Sequence, residues 1–263
     1  MKTQLQTTLA ALLVLAACGD GTGPTTGTQL SLTFVTSASA SAGGAAAPSG
    51  FADPMAVSFM DGTNTLEITG VKIVLREIEL ELVEVDECDD VEPEPEGCEE
   101  FETGPLLVDL PVDGSTSTNI AIMIPPGTYD EIEFEIHKVS SDDDEDADFL
   151  LENPTMEGKS IVVVGFYNGV GFTYETDLNE DQEFDLVPNL VIEQDGVATN
   201  VTIRFDLSTW FVDGSGNLFD PATALKGGPN EELAEDNIEN SIEAFEDEDE
   251  DGHEDDDHNH DDS

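Results

Sequence analysis

The sequence predicts an all-β protein, an antiparallel β-sandwich closed by a short C-terminal helix and a disordered acidic tail. Three observations carry that prediction. Apolar residues recur at every second position over several stretches, as half-buried strands require. Turn signals recur at short spacing between those stretches. Ile, Val, Thr and Phe are concentrated where the alternation is cleanest, and these side chains suit a pleated, half-buried surface. About ten such strands in one chain argue for a sandwich.

Taken in order, residues 1–17 hold one cation, Lys2, and an apolar run from Leu9 to Ala17, the layout of a secretory signal. That run is too short to span a bilayer. Residues 18–28 are Gly/Thr-rich and read as a flexible tether. The sandwich is expected over 29–226. Leu30 to Thr36 is a first strand, and 37–50 is an Ala/Ser/Gly-rich mobile loop. Leu66, Ile68, Val71, Ile73 and Leu75 alternate, and the phase slips at Arg76-Glu77, after which Ile78, Leu80 and Leu82 carry the pattern. A phase change of this kind predicts a β-bulge or a strand that changes sheets. Leu106 to Leu110 and Asn119 to Ile124 are short strands. Tyr129 to Val139 is the cleanest strand, with Ile132, Phe134 and Ile136 inward and Glu131, Glu133, Glu135 and His137 outward. Ile161 to Phe166 is a continuous apolar run, expected to be buried on both faces. Asn168-Gly169 predicts a hairpin before Val170 to Thr176. Phe184 to Ile192 contains Pro188, which places it at an edge or a bulge. Val201, Ile203 and Phe205 define a last strand, and Trp210 and Phe211 are core or lid aromatics. A helix is expected within 227–246, with Asn230 as N-cap, Glu231 and Glu232 in its first turn, and Ala234, Ile238, Ile242 and Phe245 on one face. Residues 247–263 form the acidic tail.

Two stretches resemble known families. Leu15-Ala16-Ala17-Cys18 resembles the lipobox of bacterial lipoproteins. The resemblance implies that Cys18 is lipidated and becomes the mature N-terminus, so the protein is a lipid-anchored member of the cell envelope, at the periplasmic or surface face of an outer membrane. Ile124-Pro125-Pro126-Gly127-Thr128-Tyr129-Asp130 resembles the PxGTY turn of bacterial β-sandwich lipoprotein domains. It is also similar to turns in transthyretin-like and carboxypeptidase-regulatory-like modules. Residues 63–201 look like such a domain of unknown function, which implies a fold of transthyretin-like or Ig-like class and carries over no assigned activity.

Charge narrows the partners. The 263 residues hold 61 acidic side chains against 7 Lys and Arg, a net charge of −54. Only 18 of the acids lie from Asn230 onward, so the body is acidic too. Nucleic acid is an unsuitable partner, because its affinity rests on cations meeting phosphates. Anionic lipid is repelled, which leaves membrane attachment to the acyl chains. Two explanations fit the acidity and can coexist: life in high salt, and binding of hard divalent cations. With Cys18 assigned to lipid, Cys88 and Cys98 remain, flanking an acidic, Pro-rich loop. In an oxidising compartment they are expected to form a disulfide, and a redox or metal pair is the alternative.

The tail offers the sharpest constellation. Asp247-Glu248-Asp249-Glu250-Asp251-Gly252-His253-Glu254-Asp255 reads D-x-D-x-D-G-x-x-D. Carboxylates at positions 1, 3 and 5 converge on one ion, and glycine at 6 permits the turn. The stretch resembles EF-hand, thrombospondin type 3 and dockerin loops. By that resemblance calcium would be held by Asp247, Asp249, Asp251, the His253 carbonyl and Asp255, with a helix ending near Phe245 as the entering helix. It departs from the EF-hand at position 12, where His258 stands for the bidentate Glu. The alternative is a solvated acidic tail. His253, His258 and His260 add imidazoles that could take Zn, Ni or Cu. The run Asp142–Asp148 has no glycine and reads as a solvated surface loop. The series Glu77/Glu79/Glu81 and Glu131/Glu133/Glu135 put like charges on a sheet face, which is unfavourable between neighbouring strands unless salt or cations screen it. His137 alternates with those glutamates and reads as a surface residue. No Ser-His-Asp set, phosphate loop or HExxH pattern is readable, so catalytic residues are not assigned. The expected function is a non-catalytic interaction or ligand-binding module with a protein or glycan partner. A calcium-binding lipoprotein is the alternative, and a carboxylate-dependent glycosidase is the third class.

Overall fold

The structure is a computed structural model that describes residues 28–37, 56–83, 104–113, 115–193, 199–247 and 252. Cys18, Cys88, Cys98, Asp249, Asp251, His253 and Asp255, and most of the loop at 37–50, lie outside those residues. Eleven strands are described: β1 Thr28–Ser37, β2 Val57–Met60, β3 Thr65–Leu82, β4 Leu106–Leu110, β5 Thr116–Ile124, β6 Gly127–Ile136, β7 Ile161–Tyr167, β8 Val170–Thr176, β9 Glu180–Ile192, β10 Thr199–Asp206 and β11 Ile242–Glu246. Helices are short, α1 Ala147–Glu152 and α2 Glu231–Glu239.

The strands form two sheets. One is ordered β11-β10-β1-β5, the other runs β8-β7-β3-β6-β9 with β2 and β4 also on β3. Pairing is antiparallel throughout except between β1 and β10. The inner faces share one core. Leu30, Leu32 and Phe34 of β1 and Val201, Ile203 and Phe205 of β10 meet Ile132, Phe134 and Ile136 of β6 and Ile68 and Ile73 of β3. Each of these side chains is essentially excluded from water, and each such burial is worth about 1.5–3 kcal/mol. Trp210 and Phe211 belong to this core, the Trp210 indole N–H donating to Ser241 Oγ at 2.7 Å.

β3 organises the larger sheet. Its first half pairs with β7 and its second half with β6, and the register shifts between Arg76 and Glu79. Glu77 there takes φ +53°, so the phase change in the sequence is a bulge. The Pro125-Pro126-Gly127 turn is held by the Tyr129 hydroxyl, which donates to the Pro125 carbonyl at 2.9 Å. A Cβ at Gly127 would lie 2.5 Å from Leu82 Cδ2, so the turn needs glycine for close approach. Asn168 and Gly169 both take positive φ, as the predicted hairpin requires. β9 is the edge strand expected from Pro188.

Four expectations are corrected. The run over β7 is buried on one face only, since Val164 and Phe166 are exposed on the other. The helix expected within 227–246 stops at Glu239, and residues 242–246 form β11 against β10. Asn230 makes no side-chain cap, its amide donating instead to Thr223 Oγ1 at 2.8 Å. The acidic run Asp142–Asp148 is not a solvated loop throughout. Asp146 is fully buried, and the chain enters α1 at Ala147. Phe149 of α1 and Met156 pack with Val139 on Val74, so the outer face of the sheet is roofed at this end.

Candidate cation-binding face

The outer face of the larger sheet carries carboxylates in ranks. β6 lies between β3 and β9, and its outward residues meet acids on both sides. Glu131 stands opposite Glu81 of β3 and Asp185 of β9. One rank along, Glu133 stands opposite Glu79 and Glu183. The third rank, Glu135, stands between Arg76 and Asp181. The expectation that like charges would repel if these strands were neighbours is therefore met by the pairing itself. Opposed like charges destabilise a sheet. The response is visible in the first two ranks. A hydrogen bond from Glu131 to Glu133, with Glu183 and Asp185 nearby, pushes the Glu131 carboxyl up to about 7. Burial, and the charges of Glu183, Glu79 and Glu81, raise Glu133 as well. Glu81, Glu131 and Glu133 bring carboxylate oxygens within 4.8 Å of one another.

The third rank is different because a cation is built into it. Arg76 Nε lies 2.9 Å from Glu135 Oε2 and 3.1 Å from Glu77 Oε1, and Nη1 lies 3.1 Å from Asp143 and 3.6 Å from Glu145. Glu135 is buried and also accepts from Asn179 Nδ2 at 2.6 Å. His137 follows it, and here the surface expectation is overturned. Its outward direction holds, but the roof formed by residues 140–156 covers it, leaving it 3 % exposed. His137 Nε2 faces Asp146 Oδ1 at 2.8 Å and Oδ2 at 3.0 Å, while Asp146 Oδ2 accepts from the Ser140 N–H at 2.6 Å. His137, Asp143 and Asp146 offer ligand atoms within 4.8 Å of one another.

Of the tail residues assigned to calcium, Asp247 and the glycine of the turn are described. Asp247 is fully buried, and its Oδ2 accepts from Thr202 Oγ1 at 2.7 Å and from the Gly252 N–H at 2.9 Å. Its carbonyl accepts from Asn200 Nδ2, whose Oδ1 takes a bond from Thr33. The first and sixth positions of the acidic motif are thus joined and packed against β1 and β10. The chain enters this turn from a strand, so the resemblance to an EF-hand entering helix fails. In a further group, Asp177, Glu231 and Glu235, Asp177 pairs with both Lys138 and Lys226.

Sequence reasoning missed Asp146 and Glu135 as buried groups. The signal available was the spacing of His137, two residues from an alternating glutamate and followed by an acidic run that can fold back. Comparison with protein-family models, with curated proteins and with solved structures finds no match to this chain.

Proposed function

We propose that this chain is a lipid-anchored, non-catalytic binding module of the cell envelope, and that its binding face is the carboxylate ladder on β3, β6 and β9. The observation that carries this reading is the direct opposition of acids on three adjacent strands. A surface built at such electrostatic cost is relieved by a partner bearing positive charge, either clustered Lys and Arg on a protein or divalent ions held at a glycan. Cys18 would supply the anchor, as the lipobox resemblance implies.

Hexalysine and calcium serve as probes. The full chain should bind hexalysine in a titration calorimeter with an affinity that falls steeply as NaCl rises. Replacing Glu79, Glu133 and Glu183 by Gln should weaken binding more than tenfold. Removing three acids elsewhere, at Asp142, Asp144 and Glu152, should leave it within about twofold. Equal weakening by both variants would reduce the ladder to general surface charge and sink the proposal.

A second reading, calcium binding by the tail, is favoured by the bond from Gly252 N–H to Asp247. Calcium should then raise the unfolding midpoint of the chain, and D249N with D251N should abolish the rise.

A further inference from the structure

His137 and its surroundings form a site of different chemistry from the ladder, and the inference drawn from it does not rest on the ladder's being a binding face. Three observations converge there. The first is the donor set: one imidazole nitrogen of His137 with the carboxylates of Asp146 and Asp143, brought together by the end of β6 and the turn that roofs it, with Nε2 the nitrogen that faces Asp146. His137 and Asp146 are buried and Asp143 is half-buried. Nε2 stands nearly equidistant from both Asp146 oxygens, so both oxygens of that carboxylate face the same ring nitrogen.

The second concerns the other ring nitrogen. Nδ1 is buried and makes no hydrogen bond, although Glu135 Oε2 lies 3.2 Å from it. A histidine that binds a metal through one nitrogen characteristically turns the other N–H toward a carboxylate, which fixes the tautomer. Glu135 occupies that place and is itself held by Arg76 and Asn179.

The third is charge. Arg76 serves Glu77, Glu135, Asp143 and Glu145 at once, and Asp146 adds a further buried carboxylate. The other described cations are engaged elsewhere: Lys72 with Asp109, Lys138 and Lys226 with Asp177, Lys159 with Glu175 and Arg204 with Glu243. Among the described residues, no second Lys or Arg makes an ion pair in this group.

We infer that His137, Asp146 and Asp143 bind a divalent transition-metal ion of the zinc class, with Glu135 orienting the imidazole from behind. Mixed imidazole and carboxylate donors suit Zn and its neighbours better than Ca or Mg, which prefer all-oxygen sites. The ion shares Asp143 with Arg76. It ties the turn 140–146 to the end of β6, so it holds the roof on the sheet.

The test uses the full chain, freed of metal with EDTA and titrated with Co2+, followed by visible absorption and by competition with Zn2+. The tail histidines are a separate source of binding, so the background carries H253Q, H258Q and H260Q. In that background the chain should retain one Co2+ site, displaced by Zn2+ and not by a hundredfold excess of Ca2+. H137Q and D146N should lose it by at least a hundredfold, and E135Q should weaken it ten- to a hundredfold. Because H137Q and D146N alter buried groups, D143N is the decisive variant. Asp143 is half-buried and lies in the turn, so D143N should keep the wild-type unfolding midpoint in EDTA yet bind Co2+ at least tenfold more weakly. Loss of the site in the tail variant alone, undiminished binding in D143N, or displacement by Ca2+ would each overturn the inference.

Discussion

Asp247 is buried, and what it does there differs from what its place at the head of an acidic run suggests. The carboxylate is an acceptor for Thr202 and for the Gly252 N–H, and the backbone around it is tied to Asn200. Truncation leaves buried donors without an acceptor, which costs about 1–3 kcal/mol. D247A should therefore lower the unfolding free energy measured in urea by that much, in EDTA as well as in calcium. A loss seen only when calcium is present would make Asp247 a ligand first and a structural group second. Residue identity alone could not have separated these roles, because an Asp in an acidic run carries no signal of burial. The same holds at His137. Alternation along β6 gave its direction correctly, since Ile132, Phe134 and Ile136 are buried against the opposite sheet. Direction is not exposure, however, and the roof over the outer face is contributed by Val139, Phe149 and Met156, whose spacing follows neither a strand nor a long helix. Asp146 was hidden among six other residues of the run 142–148 for the same reason.

At the scale of elements, β3 shows what periodicity can deliver. The slip at Arg76-Glu77 is written in the order of apolar residues, and the structure turns it into a bulge that lets one strand pair first with β7 and then with β6. The bulge costs something locally, because Glu77 holds φ +53°, a region that a side chain with a Cβ enters at about 1–2 kcal/mol. Its partner Arg76 already has three other carboxylates, and Glu77 is half-exposed, so the ion pair repays little. E77G should leave the unfolding free energy measured in urea unchanged or raise it by up to about 1 kcal/mol, whereas E77V should lower it by about 1–2 kcal/mol. If E77G were the more damaging of the two, the strain at the bulge would not be what limits this position. The C-terminal segment shows where periodicity fails. Ala234, Ile238, Ile242 and Phe245 fit a helical stripe, and the first two do lie on α2. Ile242 and Phe245 are buried as well, but from a strand whose partners are Phe205 and Thr202. Between them Ser241 folds back, its Oγ donating to the Ile238 carbonyl and receiving the Trp210 N–H. The contact with residue 210 falls where the chain leaves the helix, and no window around 240 contains it.

For the molecule as a whole, the acidity has a consequence for stability that can be signed. The chain has 61 acids and 7 Lys and Arg, and the described cations are spent in pairs away from the first two ranks of the ladder. Those ranks hold the raised carboxyls, Glu131 at about 7 and Glu133 above its ordinary value. Burial raises Glu77 and Glu239 too. A carboxyl raised in the folded state binds its proton more readily there than in the unfolded chain. Its contribution to stability is therefore present below the unfolded value of 4.5 and is lost as pH rises through about 7. The opposite group includes Asp61, lowered to about 2 by the Asn64 and Thr63 N–H groups, with Asp113 and Asp213 lowered by similar turns. Those contribute above the unfolded value of 3.8 and are lost only as pH falls below it. Between about 4.5 and 7 the lowered carboxyls are ionised in both states, so among the shifted carboxyls the raised group sets the slope. The urea midpoint of the metal-free chain should thus rise as pH falls from 8 to 5.5 at low salt. Molar NaCl should raise the midpoint at pH 8 and shrink that rise, because it screens the repulsion that the protons relieve. E131Q should flatten the profile further, since the neutral amide removes the carboxyl that titrates highest while leaving the side-chain volume in place. A midpoint that falls between pH 8 and 5.5, or a profile that E131Q leaves untouched, would place the pH response outside the ladder and return these acids to the role of solvated surface.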